Sequence, residues 1–501
     1  MATTAQEAQT TLPEGPQPLP VIGNALSFRL DPLGYFQELQ RTYGNMTTIY
    51  LGRVPIVMLF RPEHVRYVLI ENPRNFTNRE FTQGNGGGGG ILDEGLLTID
   101  GEAHRQQRRA VQPAFHKKRV ESYAAIMTEY TQELLKTWHA GDTVDVSRGM
   151  QELTLRIVGK CLFNIDLGTQ LADLETAFNG IIGTQPGILE TLLNIRIDQP
   201  FTSYGKRMNA IRRLDTLIYT LIAQRRGDDQ DKGDVLSMLL TAPDGRDAEH
   251  ADVPLTDKQV HDHIMTFIAA GHETTANALT WTFYLLSEHP QVRDKLLDEI
   301  RSVLSGRAPT IEDMPNLPYL DWVLNESMRM YPPAWIQGRP AVEAFELDGV
   351  RFPADTMLLL SQWVTHRLPD IWGDPDVFKP ERWDPVNGQK LPQGAYFPFG
   401  AGPRICIGMP FAQLEAKLIL ASILQRYTPR TTPGYRAEVS PLITLRPKEN
   451  LRMMLIPTAS ESSSSASWEH VLRVPYANQN EGIERRGCRN AFAGIFDILK
   501  L

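Results

Sequence analysis

The sequence predicts a mainly α chain with small β-sheets (α+β): a large helical domain crossed by one long central helix, with a small β-rich region at its side. Three observations lead there. Residues 100–340 are dominated by apolar positions at helical spacing, with few strand-like runs between them. Within that stretch, a segment beginning at Thr256 keeps the spacing for about 33 residues, about 50 Å at 1.5 Å per residue, enough to cross most of a domain. The strand-like runs are short and confined: TTIYL and PIVMLF between residues 47 and 60, and FELDGVRFPADTMLLL at 345–360.

Composition sets the outer limits. Of 501 residues, 42% are hydrophobic and 22% charged, the balance of a globular chain with a full core. A net charge of −8 argues against a nucleic-acid partner. Cys161, Cys406 and Cys488 are too scattered for a disulfide framework, so a reducing, cytoplasmic location is expected. The first residues lack the basic and apolar regions of a signal peptide, and no apolar run reaches the ~18 residues of a spanning helix, so no transmembrane anchor is expected.

Taken in order, residues 1–12 read as a disordered arm, and the proline-rich segment 12–20 as extended chain leading into the first packed element. Gly52, Arg53 and Val54 turn the first hairpin, and Asp348-Gly349 supplies the turn of the second. NGGGGG at 85–90 is expected to be a mobile surface loop. It is not a Walker loop, because neither Gly-Lys pair in the chain is followed by Ser or Thr. One domain is expected over 13–457. ASESSSSAS at 459–467 reads as a linker, within an extension at 458–501 to which the sequence assigns no role.

The long helix opens on a capping box, Thr256 with Gln259 three residues on. Val260, Ile264, Phe267, Ile268, Leu279, Phe283 and Leu286 carry its apolar face until Pro290 ends it. Its centre, AAGHETTAN at 269–277, holds residues that disfavour a helix interior, a glycine costing up to ~1 kcal/mol. The zinc-protease pattern HExxH fails there, since position 276 is alanine. Two readings remain: a kinked helix with a satisfied polar pair, or a widening over a reactive centre where Glu273 and Thr274 relay protons.

FPFGAGPRICIG at 397–408 poses a similar choice. Gly400 and Gly402 begin a dinucleotide fingerprint, but Ile405 stands where the third glycine belongs. No second cysteine lies nearby for a zinc or redox motif. Phe411, Leu414, Ala416, Leu418, Ile419 and Ile423 form the apolar face of a following helix. Cys406 thus sits near a helix N-terminus with Arg404 two residues away, and both favour a thiolate. An anionic sulfur among glycines, which let a flat object approach the backbone, suits a metal seat.

At this point the chain resembles a known family. FGAGPRICIG matches FxxGxRxCxG, the haem-binding signature of the cytochrome P-450 family, at Phe399, Gly402, Arg404, Cys406 and Gly408. AGHETT at 270–275 resembles the family's oxygen-activation motif, ESMR at 326–329 its ExxR pair, and FKPERW at 378–383 its PERF-like segment. The resemblance covers residues 13–457. It implies the P-450 fold and haem b (iron protoporphyrin IX), with Cys406 the axial thiolate that favours O–O cleavage and Phe399 shielding the sulfur. It implies that Glu273 and Thr274 manage protons on the distal face, with Ala270 and Gly271 beside the haem and Gly271 leaving room for it. His104, Arg108, Arg339 and Arg404 resemble contacts to the haem propionates, His104 standing where many members have tryptophan. Glu326, Arg329 and Arg382 resemble a buried charge triad with a structural role.

The implied activity is a monooxygenase that inserts one oxygen atom of O2 into a C–H bond of a lipophilic substrate such as a fatty acid or terpenoid. Residues 184–201 fall where the family has its access lid. Segments 330–338 and 440–445, with Trp335, Ile336, Leu442 and Ile443, fall where it lines its pocket. No flavin or iron–sulfur domain is recognisable, so electrons are expected from a ferredoxin or flavodoxin-type donor with its NAD(P)H reductase. That donor would dock on the basic segment HRQQRRAVQPAFHKKR at 104–119. A peroxide-driven peroxygenase, an isomerase and a non-catalytic haem sensor are the competing readings.

Overall fold

The structure, a computed structural model, describes residues 12–78, 94–166, 198–228, 232–244 and 253–458. Residues 1–11 of the expected arm, the 85–90 glycine run, 184–197 of the expected lid and the extension from 459 onward lie outside them.

Nine helices among the described residues are longer than two turns: α1 (Pro32–Tyr43), α2 (Gly101–Val111), α3 (Lys117–Thr137), α4 (Val146–Phe163), α5 (Ser203–Arg226), α6 (Asp257–Glu288), α7 (Pro290–Leu304), α8 (Pro318–Met330) and α9 (Met409–Arg426). α6 is the predicted long helix. Thr256 Oγ1 accepts from the Gln259 N–H at 3.3 Å while Gln259 Oε1 accepts from the Thr256 N–H at 2.8 Å, so the capping box forms as expected. The helix runs 32 residues without a break, and Pro290 begins the next one. It is neither interrupted nor unwound at Gly271.

The reason for Gly271 lies in the packing of α4 against α6. A Cβ at residue 271 would stand 3.1 Å from Val158 Cγ2, and Thr154 Oγ1 donates to the His272 carbonyl at 2.9 Å. The missing side chain therefore lets α4 approach; it does not clear space on the cofactor side, as the resemblance implied.

The strands are β1 (Met46–Leu51), β2 (Val54–Leu59), β3 (Thr143–Asp145), β4 (Gln337–Pro340), β5 (Phe345–Leu347), β6 (Val350–Phe352), β7 (Met357–Leu360), β8 (Tyr427–Arg430), β9 (Val439–Pro441), β10 (Leu445–Pro447) and β11 (Arg452–Pro457). The first predicted hairpin is β1–β2, with Met46 opposite Leu59. The second holds only for β5–β6, where Asp348 and Gly349 take φ of 51° and 76° at the turn. β7, the MLLL run, leaves that hairpin and lies between β2 and β4, fully buried, in the sheet order β1-β2-β7-β4. The proline-rich segment lies along β1, where the Glu14 carbonyl accepts from Thr47 Oγ1 at 2.8 Å.

One chain of contacts ties the helical body to the cysteine loop. Glu326, on α8 and without exposure, accepts from Arg329 Nε at 3.0 Å and Nη2 at 2.9 Å, and from Arg382 Nε at 3.2 Å. Arg329 Nη1 donates to the His366 carbonyl at 3.0 Å, and His366 Nε2 accepts the Phe397 N–H at 3.0 Å. Phe397 opens the cysteine loop. The expected charge triad thus forms, and its reach to the loop runs through His366.

Candidate active site

The loop before α9 is shaped by main-chain bonds. The Cys406 N–H donates to the Phe399 carbonyl at 2.9 Å, and the Ile405 N–H to the Gly402 carbonyl at 3.0 Å. Gly402, at φ 67°, is required there: a Cβ would lie 1.8 Å from the Leu69 carbonyl oxygen. This glycine admits the backbone of a neighbouring turn rather than a flat ligand. Gly408 is under less pressure, its hypothetical Cβ 3.8 Å from Cys406 Sγ.

Cys406 is exposed, yet its surroundings are those of the interior. These agree if the sulfur opens onto an internal chamber. Burial pushes the free thiol up; the Gly408 N–H, the Arg108 guanidinium and the Met409 N–H oppose it. The cation expected to favour the thiolate was Arg404. The structure replaces it with Arg108, whose Nη2 donates to the Ile405 carbonyl at 2.8 Å. Arg404 turns instead to Asp100 and to the Ile99 carbonyl, at 2.5 Å from the latter.

His104 and Arg108 project from α2, Arg339 from β4 and Arg404 from the loop, and the structure brings the four together. Burial, then Arg404 and Arg108, lower His104 to about 3, so it is a neutral donor. Burial and Arg404 lower Arg339 to about 10, and its bonds are to neutral oxygens, the Gly338 carbonyl at 2.6 Å and Gln337 Oε1 at 3.3 Å. Of the three guanidinium groups Arg404 is bonded to a carboxylate, that of Asp100, whereas Arg108 and Arg339 are bonded to neutral oxygens, which leaves positive charge for two more anionic groups. That donor set fits a haem, whose two propionates would sit here and whose iron would take Cys406.

α6 is interrupted in its burial at one place. Between Gln259 and Leu286 every residue is buried except Ala269, Ala270, Gly271 and Thr274. Ala270 and Thr274 lie one turn apart on the same face. α6 and α9 cross where Glu415, fully buried and pushed well up by that burial, meets the Thr275 hydroxyl.

The acid–alcohol pair is not a bonded pair. Thr274 Oγ1 donates to the Ala270 carbonyl at 2.7 Å, whereas Glu273, 4% exposed, accepts from Thr444 Oγ1 at 2.7 Å. Sequence reasoning found both members but missed Thr444, as it missed Asp100. Each partner is distant in the chain and belongs to no local pattern.

His263, on the same helix, links α2 to the loop before it. Its Nδ1 accepts from the Leu96 N–H at 3.1 Å and its Nε2 donates to Gln107 Oε1 at 2.8 Å, which fixes a neutral ring. Burial lowers it to about 4. Between its ordinary value near 6.5 and about 4 the unfolded chain binds the extra proton, so stability is full above pH 6.5 and falls on acidification, by at most ~1.4 kcal/mol per pH unit. In haem-free protein, urea midpoints of His263→Gln are expected to fall less steeply than those of the parent between pH 6.5 and 4.5.

A sequence model of the family Cytochrome P450 matches residues 13–451. Cyclooctatin synthase of Streptomyces melanosporofaciens is 36% identical over 439 residues, 86% of this chain and 92% of that protein. The chain belongs to the cytochrome P450 family. Pentalenene oxygenase of Streptomyces avermitilis is 32% identical over 456 residues, 88% of this chain and 96% of that one. Among solved structures, retinoic acid bound cyanobacterial CYP120A1 superposes with a TM-score of 0.78 at 27% identity, covering 90% of this P450 and all of that chain. The protein is thus an oxidoreductase of the P450 monooxygenase class, on the α+β P450 fold. Among the described residues no helix is long and apolar enough to cross a membrane.

Proposed function

We propose that this P450 carries haem b on Cys406 and hydroxylates an uncharged, terpenoid-type hydrocarbon or its alcohol, in the cytoplasm, with electrons from a ferredoxin or flavodoxin-type donor and its NAD(P)H reductase. The observation that carries the reading is the chemistry of the exposed stretch of α6 and of the arginine cradle. The open face of α6 offers the methyl group of Ala270, with Thr274 bonded back to its own helix. The guanidinium groups near the site, Arg108, Arg339 and Arg404, belong to the cradle, which leaves a fatty-acid carboxylate without a partner among them. Relatives named for pentalenene and for cyclooctat-9-en-7-ol, an alkene and an unsaturated alcohol by their names, support the same class.

When bound, the haem supplies the electron transfer to O2 and the O–O cleavage. The chain's own residues do the rest. Arg108, Arg339, Arg404 and His104 hold the propionate edge, and Arg108 adds positive charge beside the sulfur. The Gly408 and Met409 N–H groups temper the thiolate. Glu273 and Thr274 would hold and pass protons, and the buried faces of α4 and α6 keep bulk water out.

For the donor, Arg109, Gln112, Pro113, His116, Lys118, Arg119 and Ser122 line a surface groove of about 720 Å³. Tyr123 beside it meets Phe411 of α9, the helix that follows Cys406 in the chain, at a ring distance of 5.8 Å. An acidic partner would be steered there.

The test is a Soret titration of the ferric protein with cyclic terpenes and with fatty acids, followed by turnover under 18O2. A high-spin shift with terpenes and one 18O atom in the product is expected. A shift with fatty acids alone overturns the substrate class, and equal turnover with hydrogen peroxide in place of donor and O2 overturns the donor reading.

A further inference from the structure

From the packing of the β9–β10 hairpin against α6, we infer that Thr444 is a positioning residue for Glu273: it fixes the orientation of the carboxylate and ties it to the tip of that hairpin. This rests on the reading of Glu273 as the proton-handling acid.

The bonding is specific. Thr444 Oγ1 donates to Glu273 Oε1 at 2.7 Å and accepts from Asn277 Nδ2 at 3.1 Å. A carboxylate only accepts and an amide nitrogen only donates, so the single hydroxyl proton has one direction. Glu273, Asn277 and Thr444 are 4%, 3% and 7% exposed, so water does not replace these bonds cheaply.

The same tip is fastened to α6 a turn further on, where Trp281 Nε1 donates to the Leu445 carbonyl at 3.0 Å. Residues 273, 277 and 281 are spaced by four and form one stripe of the helix. Ala270 and Thr274 form the neighbouring stripe, the less buried one. The tip is also pinned from the other side, where Trp335 Nε1 donates to the Leu442 carbonyl at 2.9 Å.

Between Leu442 and Thr444 stands Ile443, 67% exposed. Thr444 therefore joins this exposed tip to the orientation of Glu273, whose carboxylate it keeps in one position next to the Thr274 stripe.

The test compares Thr444→Val, Thr444→Ser and Glu273→Gln in the full-length holoenzyme. The valine keeps the shape and loses the hydroxyl. The glutamine keeps an acceptor for Thr444 and loses the acid. The first readout is urea unfolding. The second is the share of NAD(P)H electrons that, with O2, end as hydrogen peroxide rather than as water and product, with limonene as the probe hydrocarbon. Thr444→Val is expected to raise the unfolding constant about tenfold and the peroxide share at least about threefold, with Thr444→Ser restoring both. Thr444→Ala serves in the same assays if the valine variant does not accumulate.

A changed stability with an unchanged peroxide share in Thr444→Val, while Glu273→Gln raises that share, overturns the positioning role and leaves the acid reading intact. A parental peroxide share in Glu273→Gln removes the acid reading, and the proposal with it.

Discussion

Replacing Cys406 by alanine is expected to abolish the thiolate signature and the oxygenase activity while leaving the fold intact. The ferrous–carbonyl Soret band should move from its thiolate position to that of a haem without a sulfur ligand. NAD(P)H-driven product formation should fall to background. Three features separate function from fold here. The loop around the cysteine is held by main-chain bonds, Cys406 N–H to Phe399 and Ile405 N–H to Gly402, which alanine keeps. The close approach at Leu69 is provided by Gly402, not by the sulfur. The thiol itself is exposed, so its removal creates no buried cavity. Urea unfolding of haem-free Cys406→Ala should therefore lie within ~0.5 kcal/mol of the parent, the range of a substitution away from packed or bonded features. A thiolate-type band persisting in the variant would sink the assignment of Cys406.

How far the sequence alone reaches is visible in which partners are local. The capping box of α6 spans four residues and the cysteine signature ten, so both could be read directly. The charge triad joins Glu326 to Arg329 one turn away, and Arg382 follows from the resemblance rather than from spacing. What stayed hidden is tertiary. Asp100 meets Arg404 across 304 residues, and Thr444 meets Glu273 across 171. No periodicity or motif links such pairs, because their meeting depends on where whole elements dock.

The glycines show the same limit in another form. A glycine announces that something comes close without naming it. At Gly271 the neighbour is Val158 and at Gly402 it is the Leu69 backbone, whereas the sequence reading placed a cofactor at both. β7 is a third case. MLLL follows a clear hairpin in the chain, yet a strand buried throughout needs neighbours on both edges, and β2 and β4 supply them.

The second large effect is expected at Glu326, far from the chemistry. Its two oxygens accept five hydrogen bonds: two from Arg329, one from Arg382 Nε, one from the Lys379 N–H at 3.1 Å and one from Trp383 Nε1 at 3.0 Å. Neither Glu326 nor Arg329 has any exposed side-chain surface. In Glu326→Ala both guanidinium groups lose their carboxylate, and Arg329 is left charged in the interior, at a cost of ~3–5 kcal/mol for a broken buried pair. The damage should travel, because Arg329 also holds the His366 carbonyl and His366 accepts the N–H of Phe397 at the head of the cysteine loop.

Glu326→Ala should therefore accumulate poorly, unfold at markedly lower urea and retain little haem. Glu326→Gln keeps the volume but turns an amide NH2 toward groups that are themselves donors, so it should lie between the two. Replacing Glu326 by glutamine together with Arg329 by methionine removes the uncompensated charge, and should recover stability relative to Glu326→Ala without restoring the tie to His366. Urea unfolding separates these cases, and haem content reports the loop. A Glu326→Ala protein within ~1 kcal/mol of the parent would mean that the buried charge finds solvent, and that the triad does not hold the cysteine loop.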